Sequence, residues 1–289
     1  MKKAVSPEEV FRICRNARKK GKTVGLVPTM GALHKGHTKL IRDCRKKCGF
    51  LVVSIFVNPA QFAPKEDLGS YPRSLEKDLT VCRRNGVDMV FVPGTEVIYP
   101  GGFETYVKLE RLPGHLCGLK RPGHFRGVAT VVLKLFNIVR PDIAVFGKKD
   151  YQQLAVIRKM AADLNVPVKI KGVETVRERS GLAVSSRNRY LSSDQRERAA
   201  FLRKALLEGK RMAASGASPA NIKRKINSVL KLSGGRIDYV SVCDRESLEV
   251  IKEERGRALI ALAVKIGSAR LIDNIEITLR PSRKTKRKK

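Results

Sequence analysis

The sequence predicts an α/β protein built on a doubly wound parallel sheet, followed by a smaller C-terminal α+β domain. Over residues 1–175, short apolar runs alternate with longer amphipathic stretches. The apolar runs are continuous, which is typical of strands buried on both faces of a parallel sheet. After about residue 186 the order changes to two helical stretches and then three strand-like runs. This change indicates a second domain.

The elements of the first domain follow from these patterns in chain order. An amphipathic helix begins at Ser6 and Pro7, residue types preferred at a helix cap and in its first turn. Buried strands are predicted at residues 23–29, 50–58, 87–93, 142–147 and 166–173. Helices are predicted at residues 38–47, 74–86 with Ser74 as N-cap, 127–140 and 151–165. Residues 104–111 are predicted to be exposed and extended.

The second domain is predicted to be a smaller α+β domain with three strands. Its helices are predicted at residues 192–216 and 219–232, and its strands at residues 236–244, 258–267 and 270–279. We therefore divide the chain into residues 1–175, residues 176–280 and a basic tail at 281–289. The tail, PSRKTKRKK, is predicted to be disordered.

The charge of the chain is strongly positive. Sixty Lys and Arg residues against 27 Asp and Glu residues give a net charge of +33. Such a charge suggests polyanionic partners, but it is spread along the chain, and the dense basic tail has no aromatic residues for stacking bases. Nucleic acid is therefore expected only as a non-specific partner.

The location expected from the sequence is the cytoplasm. No run approaches the roughly 20 apolar residues of a membrane span, and the N-terminus lacks the apolar core of a signal peptide. The six cysteines are scattered without the spacing of a metal site, and free thiols are the simpler interpretation.

The strongest chemical signal is the stretch PTMGALHKGH at residues 28–37, which lies between a predicted strand and a predicted helix. Its glycines allow a tight turn, and the start of the next helix offers unpaired N–H groups that suit phosphate. His34 and His37 share a face in a helical turn and can donate hydrogen bonds to a phosphate that gains charge. The pattern indicates nucleotidylyl transfer, whereas a metal site is disfavoured because no carboxylate or cysteine stands at ligand spacing.

Three further polar stretches follow predicted strands or join the two domains. Asn58 and Gln61 in VNPAQF can hydrogen-bond a hydroxyl or carboxylate without adding charge, although a simple turn explains them equally well. In FGKKDYQQ, Lys149 suits a phosphate and Gln153 is expected in the same cleft. Asp150 is a helix cap, a ribose ligand or both.

The polar loop SGLAVSSRNRY joins the two domains, and its Ser185, Ser186 and Arg187 suit a polyphosphate. The competing interpretation is a linker whose serines cap a helix. His124, in RPGHFRG, is either a cleft residue or part of a structural turn.

Six stretches together resemble the pantoate–β-alanine ligase family: PTMGALHKGH, FVNPAQF, YPRSLEKDL, RPGHFRGVATVV, FGKKDYQQL and LAVSSRNRYL. The resemblance runs from about residue 23 to residue 274 and covers nearly the whole chain. It implies a Rossmann-like core of the H-x-G-H nucleotidyltransferase type. It also implies a ligase that uses ATP with Mg²⁺, forms pantoyl adenylate from pantoate, and transfers the pantoyl group to β-alanine. A homodimer is expected from the same resemblance.

The resemblance also implies roles for individual residues. The catalytic residues would be His37, as the proton donor, with His34, Lys149 and Arg187. The ATP-binding residues would be Met30, Gly31, Ala32, Leu33, His34, Lys35, Gly36, His37, Gly147, Lys148, Lys149, Asp150, Val176, Val184, Ser185, Ser186 and Arg187. Pantoate and β-alanine would be bound by Gln61 and Gln153. Residues of secondary importance would be Tyr71, Asn58 and Asp78, with Asp78 a possible metal ligand beside the ATP phosphates.

Two positions depart from the family pattern, and two other functions compete. Lys148 stands where the family more often has Glu, and Val184 where it more often has Met. One competing function is that of another H-x-G-H nucleotidyltransferase, which would not explain the amides of Gln61 and Gln153. The other is nucleic-acid binding, which the charge and the tail favour.

Overall fold

The computed structural model describes residues 1–64, 66, 68–251 and 255–280, so the tail predicted at residues 281–289 lies outside the described residues. The chain divides into two compact units. The first combines Met1–Pro113 with Gly118–Val176, and the second combines Gly114–Cys117 with the chain from Arg177 onward. No helix among the described residues is both long and apolar enough to span a membrane.

The first unit is organised around a parallel sheet, as predicted. Its six described strands lie in the order β1-β4-β3-β2-β5-β6, and every neighbouring pair is parallel. The strands are β1 (Lys2–Ala4), β2 (Val24–Thr29), β3 (Phe50–Ile55), β4 (Met89–Phe91), β5 (Ile143–Gly147) and β6 (Lys169–Val173). Strand β1 was not predicted, because three residues carry no periodicity and the strand forms only by pairing with β4.

The helices of the first unit are α1 (Pro7–Lys19), α2 (Lys35–Arg45), α3 (Leu75–Arg84), the short α4 (Thr95–Ile98), α5 (His124–Val139) and α6 (Tyr151–Asp163). Ser6 caps α1 as predicted, since its hydroxyl accepts from the Glu9 backbone N–H at 3.3 Å. Ser74 is the N-cap residue of α3, as predicted, but its side chain makes no capping hydrogen bond. Residues 104–111 are mostly exposed and form no strand.

The core of the first unit joins α2 and α3 to the sheet. Ile41 and Cys44 of α2 and Leu79 of α3 are buried in one cluster with Val27 of β2 and Val53 of β3. Burying each such side chain stabilises the fold by about 1.5–3 kcal/mol. This packing fixes the start of α2 relative to the end of β2.

The order of the strands creates a switch point between β2 and β5. From β2 the chain continues to β3 and β4 on one side, and then returns to place β5 and β6 on the other side. In open parallel sheets a crevice forms where the strand order reverses, beyond the carboxyl ends of the strands. The loops that follow Thr29 and Gly147 both begin at this point.

The second unit has an antiparallel sheet with two helices, which confirms the predicted α+β organisation. Its elements are α7 (Ser193–Ala214), α8 (Pro219–Lys231), β7 (Arg236–Asp244), β8 (Gly256–Ile266) and β9 (Ala269–Leu279). The described strands lie in the order β7-β8-β9. Leu202 and Leu206 of α7 and Ile226 of α8 are buried with Ile260 and Leu262 of β8.

Candidate active site

The loop after β2 has a left-handed backbone at two consecutive residues. Gly31 has φ of 81° and Ala32 has φ of 50°. Glycine adopts this conformation freely, whereas alanine is strained in it. A Cβ atom at Gly31 would also lie 3.0 Å from the Asp78 Oδ2 atom. Position 31 therefore requires glycine for both its conformation and the space around it.

Asp78 of α3 holds this strained loop in place. Its Oδ2 atom accepts from the Ala32 backbone N–H at 2.9 Å, and its Oδ1 atom accepts from the Leu33 N–H at 2.7 Å. The side chain is buried, with 3% of the residue exposed. The resemblance made Asp78 a possible metal ligand, but in the structure both oxygens accept backbone hydrogen bonds. Asp78 thus stabilises the left-handed conformation of the loop through these two hydrogen bonds.

Helix α2 begins at Lys35, three residues before the predicted start at residue 38. The reason is that His34 is itself the N-cap, with extended backbone, and its Nδ1 atom accepts from the Gly36 N–H at 3.1 Å. His37 completes the cap, because its Nδ1 atom accepts from the His34 N–H at 3.3 Å. A Cβ at Gly36 would lie 2.8 Å from the His34 ring, so glycine leaves room for the imidazole.

These two capping bonds fix the tautomer of each histidine. A backbone N–H can only donate, so Nδ1 of both rings must accept, and each neutral ring carries its proton on Nε2. The rings are stacked, with centroids 4.1 Å apart and planes at 26°. The start of α2 therefore provides two imidazole Nε2–H donors beside its positive dipole end.

His37 is neutral at physiological pH in this structure. Loss of hydration, together with the nearby His34 and Lys149, lowers the pKa of His37 to about 3, although Asp150 opposes the shift. Lys149 and Asp150 lie in a 3-10 turn, Lys148–Asp150, that directly follows β5. Because the charges of both residues act on His37, this turn lies close to the histidine pair. The switch point thus brings together the residues predicted after β2 and after β5.

Within that turn, the three side chains differ in their surroundings. Lys149 Nζ lies 3.3 Å from Asp150 Oδ1. Asp150 is the N-cap residue of α6, but its side chain makes no capping hydrogen bond. Lys148 forms an ion pair with Glu174, the residue that follows β6. The positive charge of Lys148 is therefore partly balanced locally by a carboxylate.

The predicted amides form a buried network at the end of β3. Asn58 Nδ2 donates to Gln61 Oε1 at 3.2 Å and to the Gly127 carbonyl at 3.1 Å, while its Oδ1 atom accepts from the Tyr99 hydroxyl at 2.8 Å. Gln61 Nε2 lies 2.9 Å from the Met30 sulfur, in the loop after β2. Gln61 is therefore adjacent to the histidine loop, as expected for one active site.

The two neighbouring glutamines of α6 have different environments. Gln152 is buried, and its Nε2 atom donates to the Leu112 carbonyl at 2.9 Å, so it has a structural role. Gln153, the predicted ligand, is only partly buried.

Tyr71 is buried and contacts the Phe62 ring edge-on, with centroids 5.8 Å apart.

Comparison with known proteins agrees with this geometry. A family model described as pantoate–β-alanine ligase matches residues 3–276. The chain belongs to the pantoate–β-alanine ligase family. It is 52% identical over 259 residues to a pantothenate synthetase of Desulfatibacillum aliphaticivorans, an alignment covering 89% of this chain and 92% of that protein. The chain is accordingly an ATP-dependent ligase.

Solved structures of pantothenate synthetases have the same fold as this ligase. The crystal structure of the Thermus thermophilus enzyme gives a TM-score of 0.91 at 44% identity, covering 95% of this chain and 99% of that one. A crystal structure of the Francisella tularensis ligase, in complex with βγ ATP and β-alanine, gives a TM-score of 0.79 at 35% identity, covering 95% and 97% of the two chains.

A network that sequence reasoning did not assign supports Gln61 in this ligase. His124 Nδ1 lies 2.7 Å from the Gln61 carbonyl oxygen, and its Nε2 atom lies 3.0 Å from Arg121 Nη1. Arg121 donates in turn to both Glu66 oxygens, each at 2.6 Å. Because the guanidinium only donates, His124 carries its proton on Nδ1 and donates to the carbonyl. The sequence signal was the RPGH turn, but its partners lie about 60 residues earlier in the chain.

The predicted loop at Val184, Ser185, Ser186 and Arg187 lies in the second unit of the ligase. The Ser185 hydroxyl accepts from the Arg187 N–H at 3.3 Å and caps the 3-10 turn Ser186–Tyr190. Asn188 Nδ2 donates to the Ala183 carbonyl at 3.0 Å and to Glu178 at 2.9 Å. Ser185 therefore caps this turn, as the linker interpretation expects. The contact of the loop with ATP stays a prediction.

The side chains of this ligase do not form a resident metal site within the described residues, because no three His, Cys, Asp or Glu side chains converge there. The one carboxylate singled out for a metal, Asp78, accepts two backbone hydrogen bonds.

Proposed function

We propose that this ligase forms pantoyl adenylate at the end of the sheet where β2 and β5 lie side by side, and there transfers the pantoyl group to β-alanine. The observation that carries the proposal is the stacked pair His34 and His37, whose Nδ1 atoms accept backbone N–H groups and whose protons are therefore on Nε2. Two such donors at a helix N-terminus match the requirements of a triphosphate.

In the first step, we infer that the ATP phosphates lie against the start of α2. A pantoate carboxylate oxygen attacks the α-phosphorus of ATP, and the bond between the α-phosphorus and the bridging oxygen breaks to release pyrophosphate. Negative charge grows on the leaving oxygens, and the His34 and His37 Nε2–H groups and the Lys149 ammonium stabilise it. Donors fixed before the reaction need no reorganisation, and removing one typically lowers kcat about 10²–10³-fold.

His37 contributes a hydrogen bond and no general base in this scheme. Its pKa of about 3 leaves the ring neutral, and a carboxylate nucleophile is already ionised at neutral pH. The negative charge of bound ATP raises the pKa of a nearby imidazole. The negative charge that grows on the departing pyrophosphate strengthens the hydrogen bond from the His37 Nε2–H, so the neutral ring stabilises the leaving group without giving up its proton.

We assign pantoate to Gln61 and Gln153, supported by the position of Gln61 beside the histidine loop. Neutral amides orient the substrate by hydrogen bonds without neutralising its carboxylate, which stays nucleophilic. In the second step the amine of β-alanine attacks the acyl carbon of pantoyl adenylate. The bond from that carbon to the AMP oxygen breaks, the amine loses a proton, and pantothenate and AMP are released.

The remaining ATP-binding residues are carried over from the family resemblance. They are Met30, Gly31, Ala32, Leu33, Lys35, Gly36, Gly147, Lys148, Asp150, Val176, Val184, Ser185, Ser186 and Arg187. For Gly31 and Gly36 the structure offers a reason, since both positions exclude a Cβ atom beside Asp78 and His34. Arg187 would add a guanidinium fork that suits phosphate oxygens.

Three further expectations accompany this function. We propose that Mg²⁺ enters with ATP, coordinated mainly by phosphate and water, as is usual for this ion. We propose a homodimer from the family resemblance, and a cytoplasmic location, which the six free cysteines favour. Binding of nucleic acid is proposed to be non-specific, through the charge of +33.

The decisive experiment is exchange of labelled pyrophosphate into ATP, with Mg²⁺ present and β-alanine absent. Exchange that requires pantoate would establish the adenylate step, because only a reversible adenylation returns pyrophosphate to ATP. If exchange occurs without pantoate, another nucleotidyltransferase reaction is taking place. If neither exchange nor β-alanine-dependent AMP release occurs, the proposed reaction is refuted.

A further inference from the structure

Two cysteines at the far end of α2 lie close together and take no part in the proposed reaction. Cys44 is in the last turn of α2, and Cys48 lies three residues beyond the final helical residue, Arg45. The chain turns back after the helix, with the Lys47 N–H donating to the Cys44 carbonyl at 2.9 Å. The Gly49 N–H donates to the Thr23 carbonyl at 3.0 Å, which ties this turn to the start of β2.

Both sulfur atoms lie over the same point of strand β2. A Cβ atom built on Gly25 would lie 2.6 Å from the Cys44 sulfur and 2.6 Å from the Cys48 sulfur. The two sulfurs are therefore separated by no more than twice that distance, and a hydrogen bond links the two thiols. Only a residue without a side chain leaves room for this pair, so Gly25 and the two cysteines form one packing unit.

The two thiols have different surroundings. Cys44 is fully buried, whereas Cys48 is partly exposed. The hydrogen bond from Cys44, the Arg45 charge and the Gly25 backbone lower the pKa of Cys48, although burial and Asp88 oppose the shift. The same hydrogen bond and burial raise the pKa of Cys44. A partly exposed sulfur with a lowered pKa, next to a buried sulfur, is the arrangement of an attacking and a resolving thiol.

We propose that Cys44 and Cys48 are a redox-active dithiol that forms a reversible intramolecular disulfide by exchange with small-molecule disulfides. The Cys48 thiolate attacks one sulfur of the oxidant, the disulfide of the oxidant breaks, and one small thiolate leaves. The Cys44 sulfur then attacks the Cys48 sulfur of the mixed disulfide and releases the second small thiolate, which takes up the Cys44 proton. Two protein thiols are oxidised by two electrons, and one disulfide molecule is reduced to two thiols.

The sequence around the pair allows a direct test with oxidised glutathione as the probe. Trypsin cleaves after Arg45, Lys46 and Lys47, so digestion separates Cys44 from Cys48 unless a disulfide joins their peptides. The folded protein is incubated with oxidised glutathione, its remaining thiols are blocked, and its tryptic peptides are analysed by mass spectrometry. Cys44→Ala isolates the attacking thiol, and Cys82→Ala is the matched control, because Cys82 is a buried cysteine on neighbouring α3.

The outcomes separate the proposal from simple surface oxidation. In the unchanged protein and in Cys82→Ala, we expect the Cys44–Cys48 peptide pair to exceed the glutathione adduct of Cys48 by roughly tenfold or more, because a neighbouring thiol reacts at high effective concentration. Dithiothreitol should reverse it. In Cys44→Ala the glutathione adduct of Cys48 should accumulate. The proposal fails if that adduct persists in the unchanged protein, or if the folded protein forms neither product.

Discussion

His34 and His37 use different nitrogens for folding and for the chemistry that we propose. Nδ1 of each ring caps α2, and Nε2 of each ring carries the proton that we propose is directed at the ATP phosphates. Asparagine places an acceptor oxygen near the position of Nδ1 and has no equivalent of Nε2. His34→Asn and His37→Asn should therefore each lower kcat about 10²–10³-fold, while the free energy of unfolding changes by less than about 1 kcal/mol. Steady-state AMP release and urea unfolding measure the two effects.

The matched control for this pair is Lys39→Ala, an exposed α2 residue that forms an ion pair with Asp43. Exposed pairs of this kind contribute about 0.3–0.5 kcal/mol, so the variant should behave like the unchanged protein. A kcat within about twofold of the unchanged value for both asparagine variants would contradict the role of the Nε2 donors.

His124 makes stability depend on pH. Burial, followed by Arg121, lowers the pKa of His124 from 6.5 to about 4. The unfolded chain thus binds a proton that the folded chain excludes, so the free energy of unfolding falls as pH decreases from 6.5 towards 4. His124→Gln should reduce this slope by at most about 1.4 kcal/mol per pH unit. Urea titrations across this range test the slope, and equal slopes in both proteins would refute it.

At the scale of elements, Asp78 joins α3 to the loop between β2 and α2. Asp78→Asn would keep one acceptor and turn an NH₂ group towards a backbone N–H. We expect a loss of about 1.5–3 kcal/mol in the free energy of unfolding and a lower kcat, because the loop that positions His34 relaxes. Glu76→Gln, at an exposed position in the same first turn, controls for the loss of charge near the helix dipole. Similar unfolding curves for the two variants would contradict the role of Asp78.

For the molecule as a whole, the excess of positive charge opposes folding. A net charge of +33 brings like charges together in the compact state. Salt screens this repulsion, and the Debye length shortens from about 10 Å at 0.1 M to about 3 Å at 1 M. We therefore expect the urea midpoint to rise with sodium chloride over this range. A midpoint that falls as salt is added would mean that favourable ion pairs outweigh the repulsion.

Much of the fold was predictable because burial leaves a local signal. The continuous apolar runs gave the strands of the parallel sheet, and the two long helices with three strands gave the second unit. Strand β1 and the start of α2 were missed. β1 depends on pairing with β4, and α2 begins at a histidine cap that helix propensity does not anticipate.

The residues of the candidate site also divide into those that the sequence predicts and those that only the structure identifies. His34, His37, Gln61 and Lys149 could be named from residue type and their place after strands. Glu66 and Arg121 could not, because their effect on Gln61 passes through His124, and a network between distant segments has no periodicity in the sequence.

The sequence alone determined the parallel sheet, the change of architecture after the first domain, the order of the polar motifs and the family. These features depend on local hydrophobic patterns and on long motifs, both of which can be recognised from the order of residues alone. Only the tertiary structure decided which nitrogen of each histidine donates, that Asp78 clamps a strained loop, and that Cys44 and Cys48 meet over Gly25. Each of these depends on distances between atoms, and those distances are set when the elements pack.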